Sequence, residues 1–353
     1  MRRVFLRLSS NELTAAPCTR PVFTSLFRTV PAFHQATHRP FSSTTSRKTF
    51  NMADKGSWGA WQVETSQFTK TVVDAMRKLY PEELADRRWD NVGLLVDNTE
   101  QDDKKHKPVV MLTNDLTFQV AVDAIAQGAS VIVSYHPFIF SGLKSITNKD
   151  PQQATLLWLA KHGIAVYCPH TAVDAAPEGL NTWLADIVAG EAPTTRSFAN
   201  PCTTAPESHS PAGYGTIGHF SGERVPLTDI LRRLAAKLGG LKHLMIASPV
   251  GADVRTAQVG SFAVCAGSGY DVLKGADVDL LVTGETSHHS ALRAVQQGKT
   301  LVQVFHSNSE RGYLRDVMRE KLREELRKSV AEADVVMSEY DADPFRIYSV
   351  EDL

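Results

Sequence analysis

No run of eighteen uncharged apolar residues occurs in the 353-residue chain, which excludes a membrane-spanning helix. Cysteine is scarce. Four residues cannot staple a chain of this length, so a disulfide scaffold is excluded, and Cys168 and Cys265, set among Val, Ala and Tyr, read as buried thiols in a reducing compartment. Acid is nearly absent from residues 1–50, where only Glu12 opposes eight Arg and Lys side chains among fourteen Ser and Thr. On a helical wheel Val4, Phe5 and Leu8 share one side and Arg2, Arg3 and Arg7 the other, the pattern of a mitochondrial transit peptide. With Arg39-Pro40-Phe41-Ser42 as a processing pattern, delivery to the mitochondrial matrix is expected, with cleavage between Phe41 and about Met52. Initiation at Met52 would give a cytoplasmic form.

Beyond that segment the excess of base disappears. From residue 51 onward 30 basic side chains face 38 acidic ones. A net acidic body argues against wrapping DNA or RNA, because that needs clustered Lys and Arg to displace counterions. The length is too great for one ordinary core, so two globular domains are expected.

Apolar positions Phe68, Val72, Ala75, Met76 and Leu79 recur at helical spacing and stop before Pro81, predicting an opening helix. Val109–Leu112, Val131–Ser134 and Ile164–Cys168 read as buried strands, with helices over 117–127 and 151–162 closed by Gly128 and Gly163. Strand and helix alternate, which predicts a parallel sheet covered on both faces. Residues 189–213, rich in Pro, Thr, Ser and Gly and without a period, read as an interdomain loop. A second α/β half follows, with strands at Gly215–Phe220, Gln258–Cys265, Val278–Val282 and Leu301–Phe305 and helices near 226–238, 286–297 and 310–330. The organisation expected is a transit peptide over 1–50, an α/β domain over 60–188, the loop, and a similar α/β domain over 214–345.

Open α/β sheets bind ligands at the C-terminal ends of their strands, and four such ends carry coordinating residues. His136 follows the Val131 strand and precedes Pro137. His170 to Asp174 follow the Ile164 strand, where Asp174 could equally cap the next helix. His306 and Glu310 follow the Leu301 strand four residues apart, so a helix beginning early would put both on one face; Ser307 and Glu310 also fit a capping box. Glu285 to His289 follow the Val278 strand, and adjacent His288 and His289 point about 100° apart, so at most one can share a ligand with Glu285. Together His136, Asp174, His306 and Glu310 make two imidazoles and two carboxylates, a set that holds divalent metals. Cys265-Ala266-Gly267-Ser268-Gly269 is a strand-to-helix turn whose amides could cradle an anion, although a tight turn explains it as well.

Six ordered segments resemble the NIF-three-like family of dinuclear-metal-centre proteins, also described as GTP cyclohydrolase I type 2 homologues. They are Trp89-Asp90-Asn91-Val92-Gly93-Leu94, Tyr135-His136-Pro137, His170 to Ala176, Val264 to Gly269, Thr283 to His289 and His306 to Gly312. The similarity runs from about residue 65 to 345. It implies two linked α/β domains with largely parallel sheets, a metal pair in the cleft between them, and a toroidal homohexamer. Carried over by motif, the metal ligands are His136, Asp174, His306 and Glu310, holding two divalent ions of zinc, iron or manganese. Tyr135 stands where many bacterial members have a histidine, leaving the usual set of five one ligand short. The activity implied is a metal-dependent hydrolase acting on a nucleotide-like substrate, with Glu285 or His288 moving protons or binding substrate. The family is also linked by name to a transcriptional adaptor partner, which implies the alternative of a non-enzymatic interaction protein; a metal-handling role is a third.

Overall fold

The computed structural model describes residues 64–99 and 107–353, and the transit peptide expected over 1–50 lies outside the described residues. Helix α1 (Gln67–Leu79) starts where the Ser66 side chain accepts from the Thr69 amide, ends with Arg77 and Lys78 facing its negative pole, and stops before Pro81. There follow β1 (Gly93–Val96), β2 (Val109–Thr113), α2 (Phe118–Gln127), β3 (Val131–Ser134), α3 (Pro151–Lys161), β4 (Ala165–Cys168), α4 (His170–Ala175) and α5 (Leu180–Ala189). Thr117 caps α2, and left-handed Gly128 closes it. Asp150 caps α3 with Pro151 in its first turn.

Next come β5 (Thr194–Pro201), β6 (Gly213–Phe220), β7 (Val225–Pro226), α6 (Leu227–Lys237), β8 (Met245–Ala247), β9 (Gln258–Val259) and β10 (Ser261–Cys265). The chain closes with α7 (Tyr270–Leu273), β11 (Leu280–Thr283), α8 (His288–Gln296), β12 (Thr300–Gln303), α9 (Asn308–Tyr313), a π-helical turn over Leu314–Met318, α10 (Arg319–Arg327) and β13 (Asp334–Met337). The single helix expected over 310–330 is therefore a run with a π turn inside it.

Two large sheets result, beside a two-stranded ribbon of β7 and β9, so the architecture is α/β as expected. The first has the order β1-β4-β3-β2-β13 and is parallel except where β1 joins β4. The second has the order β5-β6-β10-β11-β12-β8; its centre β10-β11-β12 is parallel, and antiparallel strands flank it. The central strands of both sheets are buried on both faces, each face covered by helices. In the first sheet Val110 and Leu112 pack with α1, α4 and α10, while Met111 packs against α2 and α3. In the second, Phe262 and Val264 pack with α5 and α6, while Ala263 and Cys265 face α7 and the Ala294 side of α8.

The segment 189–213, expected as a loop, holds strand β5, paired antiparallel with β6 from Thr194↔Phe220 to Pro201↔Gly213. It is an edge strand with mostly exposed side chains, held by backbone hydrogen bonds, so it needs no run of large apolar residues. The strand expected over Gln258–Cys265 is broken at Gly260, where the Asp279 carboxylate accepts the amides of Gly260 and Ser261 at 2.8 and 3.0 Å. The two halves also interlock. Leu184, Ile187 and Val188 of α5 enter the core of the second sheet, and β13, near the end of the chain, returns to the edge of the first. The described residues belong to one compact unit. Among the described residues no helix is long and apolar enough to cross a membrane.

Candidate metal centre

The backbone just past β3 stays on the sheet for two more residues, since the amides of Tyr135 and His136 donate to the carbonyls of Thr113 and Asn114 at 2.9 and 3.0 Å. That holds the His136 imidazole at the C-terminal edge. In the second sheet the chain leaves β12 through Phe305, whose φ of +69° turns it sharply, and His306 follows. The Ser309 hydroxyl donates to the His306 carbonyl at 2.6 Å, pinning the turn that starts α9.

The two edges meet. His136 Nε2 and His306 Nε2 are 3.3 Å apart. Glu310 lies between them, with Oε1 3.3 Å from His306 Nε2 and Oε2 3.5 Å from His136 Nε2. These three side chains form a group whose ligand atoms all lie within 4.8 Å of one another. His306 and Glu310 thus do meet at one point, although α9 begins only at Asn308, so the turn at Phe305 and not an early helix start aims His306. No capping box forms: the Ser307 hydroxyl donates to Asp343 instead, and Glu310, 2% exposed, faces the imidazoles.

Each imidazole is oriented from behind. His136 Nδ1 pairs with Asp115 Oδ1 at 2.9 Å, and His306 Nδ1 with Glu285 Oε1 at 3.0 Å. Carboxylates behind histidines fix the tautomer and leave Nε2 to face a ligand. Asn114 Nδ2 donates to Glu310 Oε2 at 3.1 Å, locking the carboxylate. Burial makes His136 less basic, but hydrogen bonds to Asp115 and Glu310, and their charges, outweigh it and raise its pKa to about 10. Asp115 is correspondingly lowered, because its bond to His136 overcomes the effect of burial.

Two Nε2 atoms facing a buried carboxylate are the donor set of a divalent cation. The surroundings leave room for one. Gly267, at φ +57°, approaches so closely that a Cβ there would lie 2.8 Å from Glu310 Oε1 and 3.2 Å from His306 Nε2. The residues present therefore fit a metal ion. Two amides of the same turn are committed within the protein, Ala266 to Asn181 Oδ1 and Gly267 to Ser309 Oγ, both at 2.9 Å.

Asp174, on α4, lines the same cleft of about 710 Å³. It caps no helix; its Oδ1 accepts the Tyr135 hydroxyl at 2.6 Å. Burial raises its pKa to about 6, against the Tyr135 hydrogen bond and the nearby His170. Tyr135 itself is pushed well above its usual value by burial and by the charges of Asp174 and Glu310. Glu285, expected to move protons, is occupied with His306. His288 is exposed at the start of α8, stacks edge-on against His289 at 5.4 Å, and is not among the residues lining the cleft.

Asn114, Asp115 and Asp341 were missed from sequence. The first two carry a readable signal, since they stand just past the C-terminal end of β2. Asp341 has none: it reaches the Asn114 amide across 227 positions.

A family model described as Duf34/NIF3 (NGG1p interacting factor 3) matches residues 68–344. The chain is similar to the protein NIF3 homolog of Schizosaccharomyces pombe, 43% identical over 278 residues that cover 78% of this chain and 95% of that protein. It is also similar to the NGG1-interacting factor 3 of Saccharomyces cerevisiae, 39% identical and covering 78% and 96%. Among solved structures, a hypothetical protein of Staphylococcus aureus superposes with a TM-score of 0.62 at 23% identity, covering 81% of this chain and all of that one. Reduced HcgD from Methanocaldococcus jannaschii gives 0.58 at 21%, covering 77% and 97%. At these identities the structural likeness speaks for the fold alone.

Proposed function

The chain belongs to the Duf34/NIF3 family, and from that premise we propose that it is a divalent-metal-dependent hydrolase acting on a nucleotide-like substrate in the cleft between its two sheets. The observation that carries this reading is the convergence of His136, His306 and Glu310 on one point. With Asp174 they would hold two ions of zinc, iron or manganese. A bound ion would supply a Lewis acid that polarises a substrate oxygen and makes water acidic enough to attack near neutral pH.

The protein's own residues do the rest. Asp115 and Glu285 hold the two imidazoles in the tautomer that turns Nε2 inward, and Asn114 orients Glu310. Tyr135 fixes Asp174. Trp89 and Phe140, 52% and 53% exposed with ring centroids 6.1 Å apart, give the cleft an aromatic wall suited to a planar base. Opening of a purine nucleotide ring is one version of the reaction. The test is elemental analysis of purified protein followed by a screen of nucleotides and phosphoesters. Turnover that tracks metal content is expected; protein that takes up no divalent metal, or turns over nothing when loaded, would sink the reading.

A second reading is a protein-interaction role. A relative bears the name interacting factor, and the C-terminal segment presents Phe345, Tyr348 and Val350 at 80%, 60% and 86% exposure. On the family resemblance, assembly as a homohexamer belongs with either reading, with sedimentation velocity as its check. Import into the mitochondrial matrix is proposed from the composition of residues 1–50. A reporter fused to residues 1–52 that stayed diffuse in the cytosol would defeat it.

A further inference from the structure

We propose that His170 is a metal ligand whose Nε2, with the Asp174 carboxylate, forms a second position in the centre and replaces the imidazole that Tyr135 removes. This rests on the metal-centre reading above. Three histidines border the cleft, His136, His170 and His306, and all three have Nδ1 held by a carboxylate: Asp115 at 2.9 Å, Asp90 at 2.7 Å and Glu285 at 3.0 Å. Such backing is the usual arrangement behind a metal-bound imidazole. Asp90 is built for this task. Its fully buried side chain also receives the amide of Thr171 at 3.2 Å and the Thr171 hydroxyl.

Only two of these imidazoles belong to the group that meets at Glu310. The third heads a matching device in the other half of the chain. His170 begins α4 just past β4, and Asp174 lies four residues on, the same spacing that His306, in the turn past β12, has to Glu310 of α9. Residues four apart share a helix face. His170 is also held at φ +26°, a left-handed conformation that bulky residues avoid, and such strain is kept where the surroundings impose a side-chain direction. Its ring centroid is 5.4 Å from that of His136 and 5.4 Å from that of Tyr135, which places it beside the first position and not within it. The Tyr135 hydroxyl is meanwhile committed to Asp174.

The experiment strips the full chain with chelator, titrates it with Co²⁺ or Zn²⁺, and reads stoichiometry by elemental analysis and ligand field by the Co²⁺ spectrum. His170→Ala is compared with His170→Asn. Asparagine keeps an amide donor for Asp90 and tolerates a positive φ, so this variant separates lost ligation from lost folding. Wild type should take two ions. Both variants should keep the first, with the spectrum of the first equivalent unchanged, and bind the second at least about tenfold more weakly. Two ions bound equally well by wild type and His170→Asn would overturn the assignment of His170 alone. A single ion in wild type, unaffected by either substitution, would also overturn it. No ion bound by wild type would bring down the metal-centre reading itself.

Discussion

His136 Nε2 and His306 Nε2 face each other at 3.3 Å although 170 positions of chain separate them. Two neutral imidazoles that both turn a lone pair to the same point repel, so a positive charge, whether proton or cation, belongs between them. His306→Ala removes one of the donors. Metal affinity should fall by more than the roughly 10–100-fold typical of losing an outer partner. Asp174→Ala should also lower bound metal. His306 sits on the turn past β12 and Asp174 lines the cleft from α4, so circular dichroism should show the fold intact. Metal content unchanged in both variants would remove the site.

Much of this centre is readable from local pattern. Val131–Ser134 reads as a buried strand and is one, and the four-residue step from His306 to Glu310 places both on the cleft. The unread parts depend on pairing or on long-range contact. Strand β5 has mostly exposed residues and a terminal proline, and what makes it a strand is the register with β6. Glu285 follows a strand end, the position expected of a proton carrier, yet its partner His306 comes from the neighbouring strand's end. Only the parallel pairing of β11 with β12 brings those two ends together.

Gly267→Ala should weaken metal binding without touching a ligand. Its left-handed φ costs a residue with a Cβ about 1–2 kcal/mol. The added methyl would also press on Glu310 Oε1 at 2.8 Å and on His306 Nε2 at 3.2 Å. Glu310 has little freedom to retreat, because Asn114 holds its other oxygen. The expected result is a modest fall in the urea midpoint and at least a tenfold fall in metal affinity. Wild-type affinity in a destabilised variant would mean that the loop yields instead of the ligands.

Stability should carry an acid-sensitive contribution from Glu82, remote from the ligand cluster. Its oxygens accept Arg77 Nε at 2.9 Å, Arg87 Nη2 at 2.8 Å and the Tyr167 hydroxyl at 3.1 Å. Burial opposes ionisation there, but the two arginines and the tyrosine prevail and the pKa is lowered. A folded pKa below the unfolded value stabilises above the unfolded value of about 4.3, and that gain is lost as pH falls through the folded value. Glu82→Gln should cost about 1–2 kcal/mol at pH 7 by urea unfolding. The gap to wild type should close below about pH 4. An equal gap at pH 3 and pH 7 would assign the loss to packing instead of charge.

Asp341 should act on the metal centre from the far end of the chain. Its carboxylate accepts the Asn114 amide at 3.0 Å and pairs with the Arg311 guanidinium, whose Nε and Nη2 lie 3.3 Å from its two oxygens. Arg311 also donates to Ser307 Oγ at 3.1 Å, and that hydroxyl donates to Asp343 at 2.6 Å. The tail thus grips the residues beside His306, Glu310 and the Asn114 that locks Glu310. Asp341→Ala leaves a largely buried guanidinium without its carboxylate, which should cost about 3 kcal/mol. Asp341→Asn keeps an acceptor and should cost less. If the tail positions the ligands, metal affinity should fall about 10–100-fold in the alanine variant and recover in part in the asparagine variant. Stability lost with metal affinity unchanged, measured by chelator competition, would confine Asp341 to holding the fold.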